Sequence, residues 1–157
     1  MIKNLYETHL KVKNLEESIS FYKKLGLQLA FQIEERRRAF FFIGETKQML
    51  GLQEVKEGEE VIRDHFAFSV EMKDLEASLQ WLREKEIEIP KDFFGKAPIE
   101  PIVHMWMPAA SVYFIDPNGH SLEFLTLLSD EPVYKEDIVY LSEWRTCYKS
   151  RGNQEKS

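Results

Sequence analysis

Glu7 and His9 stand two residues apart in Leu5 to Val12, a stretch that reads as a β-strand. Alternate strand residues share a face, so a carboxylate and an imidazole project together here. Such a pair can ligate a divalent cation, carry a proton or contact a polar substrate. The competing reading is a solvated pair at a cleft rim. A second set is His104-Met105-Trp106-Met107, where His104 and Trp106 would roof an apolar pocket. Packing alone explains the Met and Trp equally well. Arg36-Arg37-Arg38 offers guanidinium groups to an anionic substrate, with Arg38 the residue nearest the strand that follows. The plainer reading of this run is an exposed charged turn. His120 falls in a turn and is expected to be exposed. Cys147 is the only cysteine, which excludes an internal disulfide framework and a cysteine-rich zinc site. No sequence cue activates it, and it reads as a packing residue. Nucleophile-elbow, phosphate-loop and dinucleotide glycine patterns are missing from the sequence.

The elements that must hold these residues come from a chain of 157 residues, enough for a real core. Eleven Phe, six Tyr and three Trp are too many aromatics for a disordered chain. A net charge of −6 gives no field that recruits nucleic acid or an anionic membrane. No apolar run approaches the roughly 20 residues of a membrane helix, and the first residues lack a signal-peptide core. The expected location is the cytoplasm.

The sequence repeats itself. Asn14-Leu15-Glu16-Glu17-Ser18-Ile19-Ser20-Phe21-Tyr22 matches Asp74-Leu75-Glu76-Ala77-Ser78-Leu79-Gln80-Trp81-Leu82 at an offset of 60. Each reads as a helix start, with Asn14 and Asp74 as N-caps and an apolar stripe at i, i+4 and i+7. Gly26 closes the first helix. Strands are expected before each helix, over Leu5 to Val12 and Ile62 to Val70, and after the first over Leu27 to Ile33, apolar at odd positions. Hairpins follow across Gly44 to Lys47 and across Asp116-Pro117-Asn118-Gly119. Each half therefore reads β-α-β-β-β, in modules of about 3–55 and 61–128, joined by the charged run Val55 to Glu60. Residues 1–128 form one domain on this reading. Pro90 to Pro108 is expected to be mostly loop. Of the tail, 129–157, Glu136 to Lys149 is expected to be helical and Ser150 to Ser157 frayed.

Two stretches resemble the vicinal oxygen chelate superfamily, which holds glyoxalase I, fosfomycin-resistance thiol transferases, extradiol dioxygenases and bleomycin-binding proteins. One runs from Glu7 to Gly26. The other is Phe114-Ile115-Asp116-Pro117-Asn118-Gly119-His120-Ser121-Leu122-Glu123-Phe124, and His65-Phe66-Ala67-Phe68-Ser69-Val70 resembles the opening strand of the second module. The resemblance covers about residues 3–128. It implies an α+β fold of two modules whose sheets curl around a shared cleft, helices outside, with a divalent metal in the cleft.

By register, the resemblance places the family's metal positions on Glu7, where many members have His, and on His65 and Glu123. Gly51 is the first module's counterpart of Glu123 and offers no ligand atom, so glyoxalase I, which usually has a fourth protein ligand there, is the less fitting relative. If His9 took the place of Glu7, the set would be two imidazoles and a carboxylate, as in non-haem iron oxygenases. Zinc, manganese, nickel and iron all suit such donors.

The resemblance implies a glyoxalase-like lyase or isomerase on a small oxygen-chelating substrate, through a metal-stabilised enolate. Glu7 or Glu123 would be ligand or base, and His9 a second proton carrier. The alternatives are a fosfomycin-type thiol transferase, an extradiol-type dioxygenase, or a metal-free binding protein for a drug or metabolite. A homodimer is expected, with Ile138, Tyr140, Leu141, Trp144 and Tyr148 of the tail as contacts on its own chain or the partner.

Overall fold

The structure, a computed structural model, describes residues 1–135 and 137–152, with side chains of the last helix described as far as residue 146. Chain order is β1 (Glu7–Val12), α1 (Leu15–Lys24), β2 (Gln28–Ile33), β3 (Arg38–Ile43), β4 (Gln48–Glu54), β5 (His65–Ser69), α2 (Met72–Glu84), β6 (Ile102–His104), β7 (Ala109–Ile115), β8 (Ser121–Leu127), β9 (Ile138–Tyr140) and α3 (Leu141–Gly152). The fold is α+β, and the repeat is realised strand for strand. One sheet runs β1-β4-β3-β2 and the other β5-β8-β7-β6, with β9 added at its edge. In both, the strand before the helix pairs in parallel with the last hairpin strand. Two compact units result. The first holds Met1–Asp64 and Asp116–His120, the second His65–Ile115 and the described residues from Ser121 onward.

In the first unit, the Asn14 side chain accepts a hydrogen bond from the Glu17 amide at 2.9 Å, while acidic residues in the first turn and lysines in the last suit the helix dipole. Gly26, at φ 101°, ends α1, and the Leu27 amide donates back to the Tyr22 carbonyl. Leu15, Ile19 and Tyr22 are buried on the sheet, with the Tyr22 ring 5.9 Å from Phe41. Strand β2 departs from strict alternation. A bulge between Leu29 and Phe31 resets its register on β3 and leaves Phe31 exposed.

The loop Asp116–His120 is built into the first unit. The Tyr22 hydroxyl donates to Asp116 Oδ2 at 3.0 Å, and the Lys13 amide to Asn118 Oδ1 at 2.8 Å. Asn118 Nδ2 donates to Ser18 Oγ. His120, expected at the surface, is fully buried: its Nδ1 accepts from the Asp64 amide, so Nε2 carries the hydrogen and donates to the Lys11 carbonyl at 2.7 Å. A turn residue is buried here because backbone groups distant in sequence satisfy both its nitrogens.

In the second unit, α2 begins at Met72, two residues before Asp74, and Glu71 takes the cap position without a side-chain bond. Asp74 lies inside the first turn, where its charge still suits the dipole. The segment from Pro90 to Pro108 is mostly irregular as expected, but Ile102–His104 pairs with both β7 and β9 as a strand. The tail differs more. Ile138 to Tyr140 form β9, and the helix starts at Leu141 rather than at 136, which lies outside the described residues. Leu141 and Trp144 are buried, and Trp144 Nε1 donates to Asp130 at 2.9 Å, so this part packs on its own chain. The side chains of Cys147 and Tyr148 lie outside the described set, as do residues 153–157. No helix among the described residues is long and apolar enough to cross a membrane.

Candidate functional site

Strand β8 sets the chemistry of the second unit. Phe124 turns toward α2, where Trp81 meets it at 6.3 Å, and alternation sends Ser121, Glu123 and Leu125 to the other face. There they line a cavity of about 500 Å³, within the usual range for small-molecule sites. Glu123 is only 4% exposed, which for a carboxylate demands polar partners.

His65 is the first of them, its Nε2 3.2 Å from Glu123 Oε2. Nδ1 lies 2.9 Å from the Ser121 carbonyl, which can only accept, so Nδ1 carries the hydrogen. In neutral imidazole, Nε2 is then a bare lone pair facing a carboxylate, and only a proton or a cation reconciles the two. A divalent cation fits this set. An imidazole nitrogen and a carboxylate oxygen 3.2 Å apart match neighbouring donors around an ion bound at about 2.1 Å. The carbonyl behind the ring fixes its tautomer, as a metal-binding histidine requires.

Tyr113 is the second partner, opposite Glu123 in the β7–β8 register. The sequence reading missed it, although pairing residues outward from the Asp116–His120 turn puts 113 against 123. Burial, then the charge of Glu123, pushes its phenol far up, so it keeps its proton. His104 Nε2 lies 2.7 Å from the Tyr113 hydroxyl. Either the phenol or the imidazole nitrogen can carry the hydrogen of that contact. Burial lowers His104 below the usual histidine range, which leaves it neutral at pH 7. His104, Tyr113 and Glu123 thus line one cavity together, and Trp106 also lines it.

The first unit holds the other pair. Leu10 and Val12 of β1 are buried in the core, while Glu7 and His9 stand on the opposite, open face. His9 Nε2 is 2.6 Å from Glu7 Oε1. Directly across the parallel ladder from His9 is Gly51, and a Cβ there would stand 2.5 Å from His9 Nδ1. The absent side chain is what admits the ring. In the second unit, the equivalent ladder position pairs Ala67 with Glu123. Large polar group and small partner have changed strands between the units: carboxylate on β8 with Ala on β5, imidazole on β1 with Gly on β4.

Gly51→Ala should keep the fold, because the backbone there is ordinary extended strand, yet drive the His9 ring off Glu7. Histidine side-chain NMR should show the His9 signals move. Unchanged His9 signals would contradict the packing.

Arg38 lies half-buried in β3 and donates to the Gln53 side-chain oxygen. Arg37 is not a free cation on an exposed turn. Its guanidinium is held by Glu16 at 2.7 Å and by Glu54 at 2.8 Å, and these two carboxylates sit below their usual range because of it. Among the described residues, no three His, Cys, Asp or Glu side chains gather as a metal cradle. The polar candidates form two pairs, Glu7 with His9 and His65 with Glu123.

Comparison with known proteins gives this arrangement its context. The sequence pattern of the Glyoxalase/Bleomycin resistance protein/Dioxygenase superfamily matches residues 5–124. The chain belongs to that superfamily. It is similar to the metallothiol transferase FosB of Staphylococcus saprophyticus, at 29% identity over 99% of this chain and 100% of that protein. The metallothiol transferase FosB of Staphylococcus epidermidis is 31% identical over 73% of this chain and 75% of its own. Among solved structures, an integron cassette protein from the mobile metagenome of the Halifax Harbour sewage outfall is 38% identical, covering 80% of this chain and all of its own, with a TM-score of 0.68. His65 and Glu123 stand on the open face of the second unit's sheet, and Glu7 on that of the first.

Proposed function

We propose that this superfamily member is a metal-dependent enzyme that adds a thiol to a small electrophile, with Glu7, His65 and Glu123 as ligands of a divalent cation. It would act as a homodimer. The observation that carries the reading is the His65–Glu123 pair, two acceptor atoms 3.2 Å apart with the imidazole tautomer fixed from behind. Likeness to proteins named metallothiol transferases supports thiol transfer over the lyase or isomerase alternative. Gly51, which offers no fourth ligand, weighs the same way.

The cation, when bound, supplies Lewis-acid polarisation of the oxygen that takes up charge. The chain's own part is to position polar groups. Tyr113, whose phenol keeps its proton and lies 2.7 Å from His104 Nε2, would hydrogen-bond that oxygen as charge develops on it. His9 braces Glu7 through the 2.6 Å contact. Arg38 remains a candidate contact for an anionic substrate part.

Mass spectrometry of reactions containing an epoxide, cysteine or glutathione, and a divalent ion tests this directly. A thioether adduct should form with manganese or zinc and vanish with a chelator. Glu7→Ala should lose both ion and turnover, and His9→Ala should keep the ion while losing turnover. Adduct formation indifferent to chelator, or ion release by His9→Ala but not Glu7→Ala, would defeat the ligand assignment.

A further inference from the structure

The cavity of the second unit has a wall that its turn chemistry does not explain. Phe93 and Lys96 pair across a two-residue turn whose central residues, Phe94 and Gly95, both have positive φ, 54° and 84°. Such turns favour Asn-Gly, and a bulky Phe at the first position is strained. The Phe94 ring is nevertheless 63% exposed, so core burial does not hold it there. It stands edge-on to His104 and to Tyr113, each with centroids 5.4 Å apart. Trp106, 54% exposed, lines the same cavity, as do Phe93 and Met107. Backbone strain here presents an exposed aromatic ring beside His104 and Tyr113, where a ligand would meet it.

Charge narrows the ligand. Among the described residues lining the cavity there is no lysine or arginine, whereas Asp92 and Glu123 both face it. With Glu123 taken up by the proposed cation, a phosphonate or carboxylate seated against this wall would still meet Asp92 and no cationic side chain. A flat aromatic group meets ring edges, Met107 and Leu125 instead.

We infer that the Phe94–Trp106 wall seats an uncharged aromatic group, so that the substrate is a small aryl-bearing electrophile rather than a compact phosphonate. This rests on the thiol-transfer reading for its chemistry. The thiol sulfur bonds to an epoxide carbon, the C–O bond of the ring opens, and the thiol's proton ends on the resulting alkoxide, giving a hydroxy thioether with no other reactant.

Binding and turnover are measured separately on the full chain with manganese. Calorimetry compares 1-phenyl-1,2-ethanediol, unreactive and bearing two adjacent oxygens, with propane-1,2-diol and methylphosphonate. The phenyl diol should bind at least about tenfold more tightly than either. Trp106→Ala, at an exposed position, should remove most of that advantage. So should Phe94→Asn, which suits the turn better than Phe and should raise the melting temperature, so lost binding would not reflect lost folding. Equal affinity for the three probes, tighter methylphosphonate binding, or a phenyl-diol advantage that survives both substitutions would overturn the inference. Styrene oxide should give a cysteine or glutathione adduct faster than fosfomycin does. If the diol binds as predicted and neither epoxide reacts, the thiol-transfer reading fails while the aromatic seat stands.

Discussion

Glu123→Gln should lower the affinity for manganese or zinc by on the order of 100-fold or more and reduce turnover at least as much. Removing a partner that merely orients a ligand costs about 10- to 100-fold, and Glu123 is here proposed as a ligand itself. The substitution is close in shape, so packing around the buried side chain survives. It replaces an oxygen that only accepts with an amide whose NH₂ can point at His65 Nε2, 3.2 Å away. The pair then satisfies itself without a cation. His65→Ala should act in the same direction, and because His65 is half exposed, with little effect on folding. Retained ion in both variants, measured by metal analysis after dialysis, would contradict the assignment.

The second large effect concerns stability. Asp116 is 3% exposed, and its carboxylate accepts from the Tyr22 hydroxyl and from the amides of Asn118 and His120. Asp116→Ala strands a buried phenol and two amides at once. The expected cost is about 3–5 kcal/mol, from the loss of charge-assisted bonds and the orphaning of their donors. For a chain of this length that is roughly a 6–20 °C fall in melting temperature. Burial and the neighbouring carboxylate push the Tyr22 phenol far up, so the donor persists across the working pH range. Tyr22→Phe should cost less, about 1–2 kcal/mol, because it leaves Asp116 its donors from Asn118 and His120. A loss below about 1 kcal/mol for Asp116→Ala, by denaturant titration, would show that the loop does not anchor the first unit.

Much of this was legible in the sequence because the repeat is local information. Matching helix starts sixty residues apart fixed two β-α-β-β-β modules, and Asn14, Gly26 and the two hairpin turns behave as their chemistry requires. Strand alternation alone put Glu7 and His9 on one face. What escaped was decided by distant partners. His120 looks like a turn residue until the Asp64 amide and Lys11 carbonyl are brought to its ring. Arg37 looks solvated until Glu16 and Glu54 close on it. Strand β6 is three residues long, too short to show a period, and exists because β7 and β9 flank it. Gly51 read as a missing ligand, while the structure makes it the space that His9 occupies, a fact that needs the β1–β4 register. Phe94 carried no signal of its own, since its meaning lies in a positive φ.

The most direct test of the account is electron–nuclear double resonance on the manganese-loaded protein with nitrogen-15 histidine. One coordinated imidazole nitrogen, that of His65, is predicted, with the signal lost in His65→Ala and kept in His9→Ala. Two coordinated imidazoles would favour His9 as a ligand and oxygen chemistry, and a spectrum with none would contradict the proposed centre outright.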